Sequence, residues 1–489
     1  EWREDSIDSR PNFVASNGLF WGFFADGGAV GSKWIREAYG EIDLPLQAGK
    51  PLVEELTVNV SGRITDEEFY GTNGTFSVKG GWRPVAPLLL KFSYGTSFRA
   101  PNLRENFLLS QSGFGNIFDP CAVPSAAFSV NGYSAADDTR DPAILANCRR
   151  EGRDPTRVGT DPLLGNSLQA SSVQTFSGGS LDIDPETSRS ITTGFAFEED
   201  WASGFEFAFN FNYYDIKLKS SIVEATGGFI VDDCFTRLDG GRSPFCDRIT
   251  ASDQATARFL VSQVQAAFIN LDEESVRGID INTTFSYPVT VGGEEFDLSL
   301  NLTANHLIER STTTRDAQGN RLTDDFAGRF FFPSWIGRAT FNVGYDDFMF
   351  TWQTRYVGDV SQDPDFVDPF SDAFGFGPDG VANGFVSDTC LGSGSRNVAN
   401  PNLNAVNGIV PGDGVFCRNV GFAEEYFEHT ASLRWDNGDL RIIAGVTNLF
   451  NRTPPRVDSS EVTAIGNTPL GGGYNLDGRE FFAQMLYRF

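Results

Sequence analysis

FEFAFNFNYYDIK, residues 205–217, alternates with a period of two: Phe205, Phe207, Phe209, Phe211 and Tyr213 share one face, and Glu206, Ala208, Asn210, Asn212 and Tyr214 the other. Successive side chains of an extended strand point to opposite sides of a sheet, so this stretch has one oily face and one wet face. The pattern recurs along the chain. Phe348, Phe350, Trp352, Thr354 and Tyr356 oppose Met349, Thr351, Gln353 and Arg355, and Leu298, Leu300 and Leu302 oppose Ser299, Asn301 and Thr303. The sequence closes in the same way, with Phe481, Ala483, Met485, Tyr487 and Phe489 alternating with Glu480, Phe482, Gln484, Leu486 and Arg488. A wall of such strands turned toward hydrocarbon is a membrane barrel.

Counting segments of this kind predicts about fourteen strands. They are a stub at residues 2–5, then residues 33–46, 52–65, 74–83, 88–98, 187–199, 204–219, 264–287, 294–310, 329–345, 347–360, 424–436, 439–451 and 478–489. Short and long connections alternate between them. The short ones are residues 45–51, 83–87, 199–203, 288–293, 345–347 and 436–439. The long ones are residues 6–32, 99–186, 220–263, 311–328, 361–423 and 452–477, with the brief 66–73 on the same side. Tight turns on one rim and long loops on the other match an outer-membrane barrel, whose short turns face the periplasm. A soluble sandwich alternates too, but does not need such loops on one side only.

Composition agrees. The 489 residues hold no apolar run of eighteen or more, which excludes helical spans. Aromatics reach 13%, with 45 Phe, and 52 Gly suit strands, turns and aromatic girdles. A net charge of −27 would repel phosphates, which excludes a nucleic acid partner. The start, Glu1-Trp2-Arg3-Glu4, has neither the basic nor the apolar region of a signal peptide, so the expectation is a chain whose real start was removed by processing or truncation.

Six cysteines fall in three local pairs, Cys121 with Cys148, Cys234 with Cys246 and Cys390 with Cys417, each within a long loop. Fifteen pairings are open to six cysteines, and loop-local disulfides are the simplest. Metal binding is the rival reading, although no CxxC or CxxH spacing is present. Disulfides imply an oxidising compartment.

Residues 91–107 read KFSYGTSFRAPNLRENF, residues 445–455 read GVTNLFNRTPP, and residues 478–489 read GREFFAQMLYRF. Together these resemble the barrel of TonB-dependent outer-membrane receptors of Gram-negative bacteria. The signature lies on Phe98, Arg99, Pro101 and Asn102, a penultimate-strand motif on residues 448–451, and a barrel-assembly signal on Phe489. The resemblance implies an all-β transmembrane antiparallel barrel, of which residues 1–489 supply the C-terminal part, about fourteen strands of an expected twenty-two. The N-terminal plug, the TonB box and the first strands would then be absent from this chain.

The implied function is active uptake of a scarce nutrient, a carbohydrate, siderophore or other metal complex, with energy from TonB. The implied partners are the TonB complex acting through the plug, lipopolysaccharide and outer-membrane lipid, the barrel-assembly machinery and a small-molecule or oligosaccharide ligand. No cofactor is implied. A passive, porin-like diffusion channel is the alternative, because an even number of strands can close by itself. Enzymatic activity has little to rest on: His306 and His429 are the two histidines, both in predicted strands, and no GxSxG elbow is present.

Two candidate sites follow. In the FRAPN segment, Pro101 ends strand pairing and Arg99 can hold loop carbonyls or carboxylates, a structural role preferred over substrate contact. In the loop 361–423, Asp365 stands among Phe366, Phe370, Phe374 and Phe376, with further Asp residues between them. Aromatic faces beside carboxylates suit sugar stacking; calcium binding and an acidic loop packed on its own aromatics are the other readings.

Overall fold

The computed structural model describes residues 1–489 except 22–24, 239, 253–257, 316–320, 362–389, 392–415, 418–421, 456–463, 466–467, 470–471 and 489. The wall is a meander in which each strand pairs antiparallel with the next. Its fourteen strands are β1 (Trp2–Ser9), β2 (Ala29–Lys50), β3 (Val53–Glu67), β4 (Gly71–Val85), β5 (Leu88–Arg99), β6 (Glu186–Asp200), β7 (Glu206–Glu224), β8 (Val261–Val291), β9 (Glu294–Arg315), β10 (Trp335–Tyr345), β11 (Phe348–Val357), β12 (Tyr426–Asp436), β13 (Leu440–Thr447) and β14 (Glu480–Tyr487). Among the described residues, β1 and β14 are the two edges and do not pair with each other.

Register carries the period of two from strand to strand, because residues directly opposite on a ladder share a face. Phe207, Phe285, Leu300, Phe341, Trp352, Ala431, Val446 and Phe481 form one continuous row across eight strands. On the other face, three residues along each strand, a polar row runs through Asn210, Asn282, Thr303, Arg338, Arg355 and Glu428. Near the short-turn rim, aromatics crowd the apolar face: Trp201 lies 4.8 Å from Phe205, Phe205 lies 6.1 Å from Tyr287, and Phe296 stacks on Tyr345 at 4.9 Å. Toward the long-loop rim, His306 stacks on Trp335 at 4.3 Å and Tyr356 meets Phe427 at 4.8 Å. Two aromatic belts enclosing an apolar band match the outward face of a membrane barrel.

The bounds differ from the sequence expectation where local chemistry intervenes. The stub at 2–5 is an eight-residue strand, because Ser6 to Ser9 keep pairing with Ser32 to Ala29 despite their polarity. Pro45 lies inside β2, tolerated at a register shift between Pro45 and Gln47, so that turn shrinks to Pro51 and Leu52. Gly292 and Gly293, both at positive φ, make the two-residue turn between β8 and β9, as a tight hairpin demands. The expected strand at 329–345 begins only at Trp335, with Phe331 at φ 76°, and that at 439–451 ends at Thr447 because Asn448 turns the chain at φ 45°.

The larger departure is in the long loops 99–186 and 220–263, which fold together into a cap. Gln111–Phe118 pairs antiparallel with Ala170–Gly178, which runs parallel to the upper end of β8 from Gln263 to Ala267; Ile249–Ala251 flanks β8 there. At 31 residues, β8 is far longer than the nine to eleven a membrane strand needs, and its upper part joins wall to cap. Helices Pro142–Arg150 and Gly227–Phe235 close over this small sheet. Ile117, Val173, Ile230, Val231, Phe235 and Val264 form a buried core with four of the cysteines.

Candidate functional site

The FRAPN signature is a clamp at the mouth of the barrel. β5 ends at Arg99, whose Nε donates to Glu186 Oε2 at 2.5 Å and whose Nη1 donates to Glu105 Oε2 at 2.9 Å. Asn102 caps the helix Leu103–Phe107: its Oδ1 accepts from the N–H of Arg104 and of Glu105, both at 2.9 Å, while Glu105 Oε2 accepts from the Asn102 N–H at 2.6 Å. The Pro101 carbonyl accepts from Lys33 Nζ at 2.5 Å, and Lys33, buried, pairs with buried Glu67 at 3.1 Å. Burial alone would raise the Glu186 carboxyl, but hydrogen bonds from Arg99 and from the Ile222 N–H hold it below its ordinary value. One helix turn is thus tied to β2, β5, β6 and β7. Phe107 seals it by lying over Gly31, where a Cβ would come within 2.3 Å of the ring.

Residues 448–451 make a second buckle. Buried Asn448 exchanges hydrogen bonds with the Arg452 backbone at 2.7 and 2.9 Å, the Leu449 N–H donates to His429 O at 2.7 Å, and Asn451 Oδ1 accepts from the Arg479 N–H at 3.0 Å. The last three strands are fastened by it.

A cleft of about 770 Å³ opens on the polar face beneath the loop carrying Phe332 and Pro333, lined by Asn212, Asp280, Asn305, Arg338 and Arg355. Asn305 Nδ2 donates to Asp280 Oδ1 at 2.8 Å. Arg355 lies 3.7 Å from Glu428, which also accepts from Asn475 Nδ2 at 3.1 Å. Sequence reading overlooked this constellation. Its signal was present: β10 and β11 form a tight hairpin through Asp346 and Asp347, and counting back from that turn sets Arg338 opposite Arg355.

In the cap, Cys121 is bonded to Cys148 and Cys234 to Cys246. Cys390 and Cys417 are opposite each other on a two-residue ladder, and their side chains lie outside the described residues. Asp365, Phe366, Phe370, Phe374, Phe376 and Phe489 also lie outside them. Buried Asp119 joins the two cap loops: it takes Arg153 Nη1 at 2.8 Å and Nη2 at 2.5 Å, and its Oδ2 accepts from the Val261 N–H at 3.0 Å.

Residues 1–449 match the family model described as TonB dependent receptor-like, beta-barrel. Among solved structures, a mutant of the ferric enterobactin receptor PfeA from Pseudomonas aeruginosa in complex with enterobactin is 14% identical, with 99% of this chain and 50% of that chain covered and a TM-score of 0.51. The siderophore receptor PirA from Acinetobacter baumannii is 15% identical, with 100% and 51% covered and a TM-score of 0.49. The chain spans about half the length of these structures.

Proposed function

The chain belongs to the TonB-dependent receptor β-barrel family, and from that premise we propose that it is the C-terminal part of an outer-membrane barrel that imports a scarce nutrient with energy from TonB. The observation that carries this reading is the two-faced wall: one apolar row from Phe207 to Phe481 across eight strands, and a polar row from Asn210 to Glu428 on the other side. Hydrocarbon accepts the first face, and a watered passage needs the second.

The two sheet edges fit the same proposal. An unpaired backbone group in lipid costs several kcal/mol, so β1 and β14 need further strands between them in the working barrel. We place those strands, the plug and the TonB box in the remainder of a longer protein, inserted in a Gram-negative outer membrane by the barrel-assembly machinery. The ligand is a carbohydrate, a siderophore or another metal complex, captured by the long-loop rim and released inward when TonB displaces the plug.

The test is uptake by cells carrying the full-length receptor before and after the proton gradient is dissipated. Uptake should stop. Uptake that persists would make the protein a passive diffusion channel instead.

A further inference from the structure

Arg338 and Arg355 stand directly opposite each other on the β10–β11 ladder, on the polar face. Like charges in that position are destabilising, so a sheet tolerates them only with compensation. Arg355 has Glu428 at 3.7 Å. Arg338 has no hydrogen bond or ion pair among the described residues, and it is exposed to the cleft of about 770 Å³. A net charge of −27 makes an uncompensated cation here a departure from the chain's own balance. Of the acids nearby, Glu428 of the same row pairs with Arg355 and Asp280, which lines the same cleft, accepts from Asn305 Nδ2 at 2.8 Å, while Asn210, Asn282 and Thr303 of the row are uncharged, so Arg338 is the charge of this row left without a partner among the described residues.

We propose that Arg338 and Arg355 form an anion-recognition site that receives a carboxylate or phosphate group of the transported molecule. Two guanidinium forks present donors in the geometry that planar carboxylates and phosphates accept in pairs. Asn212 and Asn305 line the same cleft; their Nδ2 groups donate to Asn210 and to Asp280 and Tyr214, so it is their amide oxygens that can accept from hydroxyl groups beside the anion. The acidic residues of the outer loops oppose the approach of any anion, while this pair gives an anionic ligand a defined place to stop within the passage. The proposal deepens the uptake reading and rests on it for the ligand's being cargo.

The test measures binding, without an energy source, to the purified full-length receptor in detergent, by calorimetry at low salt with citrate, inorganic phosphate and sucrose as probes. Citrate or phosphate should bind and sucrose should not, with the affinity of the better anion falling about tenfold in Arg338→Gln, recovering partly in Arg338→Lys and weakening with added salt. Heat-modifiable migration of each variant on a gel reports that the barrel is intact. Absence of anion binding to the wild type, or unchanged affinity in a folded Arg338→Gln, overturns the proposal. So does loss of plug seating with unchanged anion affinity, which would assign the pair to holding the plug. Because no gradient is involved, failure here is distinct from failure of energy-coupled uptake.

Discussion

Phe207, Phe285, Leu300, Phe341 and Trp352 line up at one height on one side of the wall, whereas Ile117, Val173, Ile230, Phe235 and Val264 close on one another from several directions in the cap. The wall buries its backbone in ladders and leaves its large side chains outward, because its solvent on that side is hydrocarbon. The cap stands in water, so its loops make a dry interior and cross-link it. Within one chain, the same apolar residues therefore follow two rules set by the medium.

The sharpest way to break the cap alone is Asp119→Ala. It strands buried Arg153, and losing one partner of a buried pair costs about 3–5 kcal/mol. Hydrogen exchange should show cap amides such as that of Val261 opening while those of β9 and β10 stay protected. Replacing Cys121 and Cys148 together by Ser removes a cross-link of sequence separation 27, with an expected loss of about 3.5 kcal/mol from the cap. Proteolysis should then cut residues 99–186 and spare the wall.

Leu300→Arg reverses the comparison. On the apolar face it should cost about 3 kcal/mol in detergent or lipid refolding, whereas Asn301→Arg, one residue on and facing the passage, should change stability by less than about 0.5 kcal/mol. Equal effects would mean the two faces share one solvent.

Much of the wall was legible because a strand's side-chain period is two and does not depend on distant partners. Residues 205–217 and 348–356 carry it without interruption. Ser6 to Ser9 escaped notice since their pairing with β2 is imposed by register rather than by apolar side chains. The cap was illegible for a different reason: Gln111–Phe118 meets Ala170–Gly178 across some fifty residues, and the latter meets β8 in parallel, so no local pattern announces either. The cysteine partners, by contrast, are close in sequence and could be read. At the clamp, Asn102 and Glu105 show the spacing of a capping box, but Glu186 and Lys33 are 87 and 68 residues from the groups they bind.

A smaller effect tests the cap by pH. Hydrogen bonding from Arg140, with Tyr133 adding to it, holds the Asp138 carboxyl at about 2 against 3.8. Its stabilising contribution is complete above pH 4, the unfolded-state value, and is lost as pH falls through 2, amounting to about 2 kcal/mol. Asp138→Asn should abolish that part of the acid sensitivity in thermal melts of the cap.

One side of the wall meets lipid and the other meets water. Spin labels placed singly at positions 207 to 212 of the full-length receptor in lipid vesicles, and relaxed by oxygen or by a water-soluble nickel chelate, test it most directly. Oxygen should reach labels at 207, 209 and 211, and the chelate labels at 208, 210 and 212. Equal access at neighbouring positions, or the reverse alternation, would contradict it.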